Sequence, residues 1–288
     1  MSQEDLTARA LAAARTVALA HSVACEDAVV LPGASNVLVH LRPSPLVARV
    51  MTGTSMLHGD IETWLSREVA VGEFLAERCL GVPPSSELPP GPHRQDGLWM
   101  TFWEYVAHDA PGLPPAEQLG TALRKLHDAL ADFPGTLGPL AEIRDWLDGL
   151  LAELRPSPAL DEREIELLRL RLREMGPTVF ESPLPAQAIH GDASVRNLLR
   201  TGAGLIWADL EDACTGPVQW DLAGLVGDAR ESGGSEAYVA AFLRAYGDAD
   251  LDDLGEFLEA HRLYSIVWRA YCAQRAHDGE GEDSAAPG

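Results

Sequence analysis

Three oxygen-bearing side chains sit close together in one stretch of the chain. Asp192 ends His190-Gly-Asp192, Asn197 follows five residues later, and Asp209 lies seventeen residues beyond Asp192. The apolar runs Ala188-Ile-His190, Asn197-Leu-Leu199 and Leu205-Ile-Trp-Ala208 have the composition of short strands, so the three polar residues belong to a strand-loop-strand unit. Phosphoryl transfer asks for this set: one carboxylate to take or orient a hydroxyl proton, and a second carboxylate with an amide oxygen to hold Mg²⁺ against phosphates. Taken singly, a turn Asp or Asn does no more than close an Asx-turn. The joint spacing is what points to chemistry.

The same order of Asp, Asn five residues on and a strand-end Asp occurs in the catalytic and metal loops of protein kinases. The segments His190-Gly-Asp-Ala-Ser-Val-Arg-Asn-Leu-Leu199, Ile206-Trp-Ala-Asp-Leu-Glu-Asp212 and Gly216-Pro-Val-Gln-Trp-Asp-Leu-Ala223 resemble the aminoglycoside phosphotransferase family of small-molecule kinases. Weaker echoes are Leu46-Val-Ala-Arg-Val50, Arg67-Glu68 and Leu123-Arg-Lys-Leu-His127. The resemblance implies an α+β, protein-kinase-like bilobal fold. It implies Asp192 as catalytic base, Asn197 and Asp209 as Mg²⁺ ligands, and bracing roles for His190 and Asp221. The cofactors it implies are ATP or GTP with Mg²⁺.

On the nucleotide side the chain departs from the kinase pattern. A lysine on the third strand is the usual phosphate grip, but the single lysine among the 22 basic residues is Lys125, on a later helix. Arg49 is the basic residue on the equivalent strand, and its guanidinium fork can hold phosphate oxygens. Glu68, on the next helix, is its expected partner. No GxGxxG cover is present, so Gly33, Ser35 and Asn36 are the expected phosphate donors, through backbone and side-chain groups. Glu104 and Val106 fall where an interlobe hinge would offer backbone groups to a purine.

With 44 acids the chain carries a net charge of −22, which opposes nucleic-acid binding and favours encounter with a cationic small molecule. Residues 201–288 hold 17 acids against 5 arginines. Glu211, Asp212, Asp228 and Glu231 are therefore the expected acceptor-binding acids, with Tyr264 and Trp268 as an aromatic wall. Each acid has a plainer reading as part of a solvated helix face, and the aromatics as core. The acceptor expected is a cationic alcohol such as an aminoglycoside or another antibiotic. A metabolic alcohol (choline, homoserine or an amino sugar) and a catalytically silent nucleotide-binding module remain alternatives.

The elements that must position these groups divide the chain in two. Short β-like runs at 28–31, 36–41 and 46–51, a helix at 61–78 and a strand at 98–106 give an N-terminal lobe over 1–105. Helical patterns at 115–131, 140–154, 160–175, 221–229, 235–246 and 251–277 give a larger lobe over 106–277. An acidic, glycine-rich tail, 278–288, is expected to be disordered. Four scattered cysteines, no export signal and no apolar run of membrane-spanning length suggest a cytoplasmic protein. Nothing here selects between a monomer and a homodimer.

Overall fold

Alternating apolar residues in two neighbouring segments start the sheet of the smaller lobe. In the computed structural model, which describes residues 3–32, 36–52, 60–110, 112–247 and 252–284, β1 (Val29–Leu31), β2 (Val37–His40), β3 (Leu46–Val50), β4 (His93–Gln95) and β5 (Leu98–Glu104) form one antiparallel sheet in the order β1-β2-β3-β5-β4. Because side chains alternate across a strand, Val37, Val39, Ala48, Val50, Met100 and Phe102 share one face. They pack under the small residues of α1 (Gln3–Ala20). The register places Leu38 opposite Arg49 and Arg49 opposite Thr101, so these three share the other face.

That second face is met by α2 (Ile61–Ala76), started by Asp60, whose side chain accepts from Thr63 N at 3.1 Å. The helical spacing of Trp64, Leu65, Val69, Phe74 and Leu75 predicts the buried face; Trp64, Leu65, Val69 and Leu75 are buried, Val71 and Glu68 join them, and Phe74 is only half-buried. Gly72 allows the close approach, since a Cβ there would stand 2.5 Å from the Trp103 ring.

The larger lobe contains α3 (Ala116–Leu130), α4 (Ala141–Glu153), α5 (Glu162–Met175), α6 (Gln219–Glu231), α7 (Glu236–Gly247) and α8 (Gly255–Ser284). Two apolar clusters hold it together, one joining α3, α6 and α7 and the other joining α4, α5, α6 and α8. Between the clusters lie two short ribbons: β6 (Gln187–Ile189) pairs with β9 (Cys214–Gly216), and β7 (Leu198–Thr201) with β8 (Gly204–Trp207). The lobes are stapled through backbone, as Trp207 N donates to Leu80 O at 2.8 Å and Val82 N to Trp207 O at 2.9 Å.

The bilobal α+β architecture is the one expected, with two added strands and a longer last helix. β4 lies inside what reads as a proline-rich loop, yet it is joined to β5 by Asp96-Gly97, both at positive φ (51° and 80°). An Asp-Gly pair is a strong hairpin signal. β9 is too short for its composition to show. Helix α8 carries through 278–284, part of the stretch expected to be disordered; no proline interrupts the chain there. Among the described residues no helix is long and apolar enough to cross a membrane.

Candidate active site

The loop that carries Asp192 is held from beneath. Asp221, in the first turn of α6, accepts from His190 N at 2.8 Å, Gly191 N at 3.0 Å and the His127 ring at 3.0 Å. Burial, the largest single influence, would raise this carboxyl, but the His127 hydrogen bond, the His127 and His190 imidazoles and the His190 backbone bond together outweigh it and hold the group below the ordinary range. Trp220 Nε1 donates to Gly191 O at 2.6 Å. Gly191 has φ +83°, and a Cβ there would fall 1.9 Å from the Asp212 carbonyl oxygen, so only glycine fits. The His190 ring contacts Ala208 O at 3.1 Å and accepts from Asp192 N at 3.3 Å. Burial depresses the pKa of this imidazole, keeping it neutral as that pair of contacts requires.

Asn197 donates Nδ2 to both the backbone oxygen and Oδ2 of Asp192, each at 2.9 Å. No hydrogen bond among the described residues uses its amide oxygen. Burial pushes the Asp192 carboxyl well above its ordinary range, with Asp212 and Asp209 adding to the effect. Asp209 sits at φ +60°, a conformation uncommon outside glycine.

Arg49 joins Asp209 to the smaller lobe. Its guanidinium is 2.7 Å from Asp209, 2.5 Å from Glu211 and 3.3 Å from Glu68, and the residue is 6% exposed. The Glu211 contact is a close approach of charges without hydrogen-bond alignment, since Glu211 Oε2 has no hydrogen-bond partner. Burial would lower the Arg49 pKa, but the carboxylates reverse this and keep it charged. Burial pushes Glu68 to about 7 despite Arg49, and Asp212 to about 7 with Asp209 adding to it. Glu211 is raised well above its ordinary range, also by burial first. Four carboxylates besides Asp192 thus crowd around one arginine.

The other expected nucleotide contacts are divided. Asn36 Oδ1 accepts from Thr52 N at 3.3 Å, while its buried Nδ2 has no partner among the described residues. Gly33 and Ser35 lie outside the described residues. The Glu104 side chain turns aside to accept from Ser86 N and Oγ at 3.0 and 2.8 Å, and its backbone N donates to Pro83 O. Val106 packs with Leu199, Ile206 and Ala208 against Val82 and Trp103, an apolar cluster at the junction of the lobes.

On the far side of Asp192 opens a cleft of about 370 Å³, lined by Arg196, Asp228, Glu231, Glu259, Arg262 and Tyr264 among others. Of the expected acceptor residues, Asp228, Glu231 and Tyr264 reach this cleft. Glu211 and Asp212 belong instead to the Arg49 cluster, and Trp268 packs on Trp146 and Tyr271. Asp228 also accepts from Val195 N at 2.9 Å.

Sequence reasoning missed Arg196, Arg262 and His261, all cleft-lining. Their signal was adjacency: Arg196 precedes Asn197 inside the motif, and His261 and Arg262 share a helix with Tyr264. The His261 ring lies 4.0 Å from that of Trp220. Its buried Nε2 has no hydrogen-bond partner among the described residues.

The pattern of a family described as phosphotransferase enzyme family matches residues 29–257. Two curated proteins are similar over shorter stretches. The homoserine kinase of Hyphomonas neptunium is 31% identical over 129 residues, covering 43% of this chain and 38% of the relative. That of Methylobacterium nodulans is 36% identical over 132 residues, covering 43% and 39%. The chain thus spans under half the length of the curated relatives it matches. Solved structures match over nearly the whole chain and show a shared fold. The GDP and kanamycin complex of APH(2'')-IIIa has TM-score 0.65 and 19% identity, over 94% of this chain and 98% of that one. The choline kinase LicA from Streptococcus pneumoniae has TM-score 0.65 and 16% identity, over 93% and 99%. The amicoumacin kinase hAmiN, in complex with AMP-PNP, Ca²⁺ and Ami, has TM-score 0.64 and 15% identity, over 90% and 86%.

Proposed function

Since the chain belongs to the phosphotransferase enzyme family, we propose that it is an ATP- or GTP-dependent kinase that phosphorylates a hydroxyl of a small ammonium-bearing molecule. One observation carries this reading. Asp192 and Asn197 are hydrogen-bonded to each other at 2.9 Å at the edge of a cleft, while Asp209 is tied at 2.7 Å to Arg49, itself paired with Glu68. The convergence of these side chains where the lobes face each other is what supports reading them as base, metal ligands and phosphate grip.

The residues present fit a divalent cation. Hard oxygen donors suit Mg²⁺, and Asp192, Glu68, Glu211 and Asp212 are carboxyls raised first by burial and further by one another and Asp209, an arrangement a cation would relieve. Asn197, through its unused amide oxygen, and Asp209 would hold the ion. When bound, it would neutralise charge on the phosphate oxygens. Arg49 would exchange part of its contact with Asp209 and Glu211 for phosphate oxygens, with Glu68 keeping it in place. Asn36 Nδ2, without a partner among the described residues, is a further donor for a phosphate. The partly buried apolar side chains beside Val106 would stack against the base.

Asp192 would accept the proton of the acceptor hydroxyl as its oxygen bonds to the γ-phosphorus and the bond to the leaving nucleoside diphosphate breaks. Asn197 and the Asp221 brace keep the carboxylate aimed. Asp228 and Glu259 supply the negative side of the cleft for an ammonium group, with Glu231 beside them held by Arg269. Such a group is common to amino-sugar antibiotics, choline and homoserine, so antibiotic inactivation and a metabolic role both fit.

An ADP-release assay across aminoglycosides, choline, homoserine and other small alcohols tests the reading. The expected result is acceptor-dependent, Mg²⁺-dependent turnover, lowered by about 10² to 10⁴ in Asp192→Asn. Turnover unchanged in that variant would remove Asp192 from the role of base.

A further inference from the structure

A chain with twice as many acids as bases would be expected to line an acceptor cleft with acids alone. This cleft does not follow the bulk charge. Beside Asp192, Asp228, Glu231 and Glu259 it holds Arg196, Arg230 and Arg262. Arg230 is held by both oxygens of Glu236 at 2.9 Å, and Glu231 by Arg269, so these members are already paired. Arg196 and Arg262 make no ion pair among the described residues, and both are exposed. They come from two different elements, the loop just before Asn197 and α8. Arg196 lies near enough to Asp192 and Asp228 to act on both electrostatically. Two uncommitted guanidinium forks on one small cleft match a planar, bidentate anion.

Resting on the reading that this cleft takes the acceptor, we propose that Arg196 and Arg262 form an anion-binding subsite. The acceptor alcohol then carries a carboxylate as well as an ammonium group and is a hydroxy amino acid rather than a simple cation. Asp228 and Glu259, with no arginine held against them, receive the ammonium end. A volume of about 370 Å³ is at the small end for ligand sites and suits a molecule of that size. The cleft's mixture of signs also selects by exclusion. A purely cationic alcohol would leave two positive forks facing its own charge.

The test compares homoserine with the amino alcohol left when its carboxylate is removed, using the full chain with Mg-ATP, and repeats both with Arg262→Gln and Arg196→Gln. The wild-type protein is expected to favour homoserine by about tenfold or more in kcat/KM, the scale of one charge-assisted hydrogen bond. Arg262→Gln should erase that preference, raising the KM for homoserine by far more than that for the amino alcohol. Arg196→Gln should narrow the homoserine-to-amino-alcohol ratio in the same direction. Equal use of the two compounds, or a homoserine preference that survives both variants, overturns the subsite. Calorimetry of homoserine and serine with a non-hydrolysable ATP analogue separates the two proposals. Failure to bind either amino acid sinks the subsite even if choline or kanamycin supports ADP release. Amino-acid binding weakened by Arg262→Gln, with no ADP release from any acceptor, would sink the kinase reading and leave the subsite.

Discussion

The two sides of Asp192 are built on opposite plans. Toward the smaller lobe, Arg49, Glu68, Asp209 and Glu211 are closed in and tied together, with Arg49 6% and Glu68 1% exposed. Toward α6 and α8, Arg230 and Glu231 are paired with residues outside the cleft, while Arg196, Arg262, Asp228 and Glu259 make no ion pair among the described residues. A side that meets a constant group, such as a triphosphate, can have its polar contacts fixed in advance. A side that must admit and release a varying molecule keeps its charges uncommitted, and pays in hydrogen bonds left unmade.

The largest expected effect comes from breaking the closed side. Arg49→Gln leaves Glu68, Asp209 and Glu211 crowded without their cation, and removing one partner of a buried pair typically costs about 3–5 kcal/mol. Denaturant unfolding should show a loss on that scale, and Glu68→Gln added to Arg49→Gln should recover part of it. If the single variant unfolds at the wild-type denaturant concentration, the cluster is not held together by its arginine. The comparison with Arg262→Gln sharpens the point, since an exposed, unpaired arginine should leave the same transition where it is.

A smaller effect distinguishes the sides by pH. Burial lowers His261 from its ordinary 6.5 to about 4, against the pull of Asp221 and the Trp220 backbone. Between those values the unfolded chain binds a proton that the folded chain refuses, so unfolding free energy rises with pH there. The His261 contribution is complete above pH 6.5 and is lost progressively as pH falls toward 4. Its size is roughly 3 kcal/mol at most, taking 1.36 kcal/mol per unit. His261→Gln should flatten the stability profile over that range. An unchanged slope in the variant would mean that the imidazole is already free to take a proton in the folded protein.

The same contrast explains what could be read from the sequence. On the closed side, Asp192, Asn197 and Asp209 lie within one strand-loop-strand unit, so local spacing alone indicates that they converge. Arg49 and Glu68 follow from element order, because the strand before a helix and that helix's buried face must meet. The open side is assembled from the catalytic loop, α6 and α8. Its residues interleave with others of the same charge that point elsewhere: Glu211 and Asp212 look equivalent to Asp228 in sequence, yet join the Arg49 cluster. Trp268 and Tyr264 are one helical turn apart, but only Tyr264 reaches the cleft. Net charge misled in the same way, since the −22 is an average over the whole chain and the cleft holds arginines that the average conceals.

The smallest effect concerns the seam joining the two plans. Arg67 on α2 lies 3.4 Å from Glu142 on α4, with side chains 31% and 57% exposed. It is tempting to treat an ion pair between lobes as a latch on their closure. Exposed pairs of this kind contribute only about 0.2–1 kcal/mol and are screened by salt. The lobes are already joined by the backbone bonds of Leu80 and Val82 with Trp207 and by Arg49 reaching Asp209. Arg67→Ala should therefore change unfolding free energy by no more than about 1 kcal/mol and shift the KM for ATP less than about fivefold, the same energy expressed as a ratio. Added salt should abolish even that difference. A large, salt-resistant rise in the KM for ATP would show that the angle between the lobes is set at this surface pair, and that the closed side depends on the seam rather than on its own buried charges.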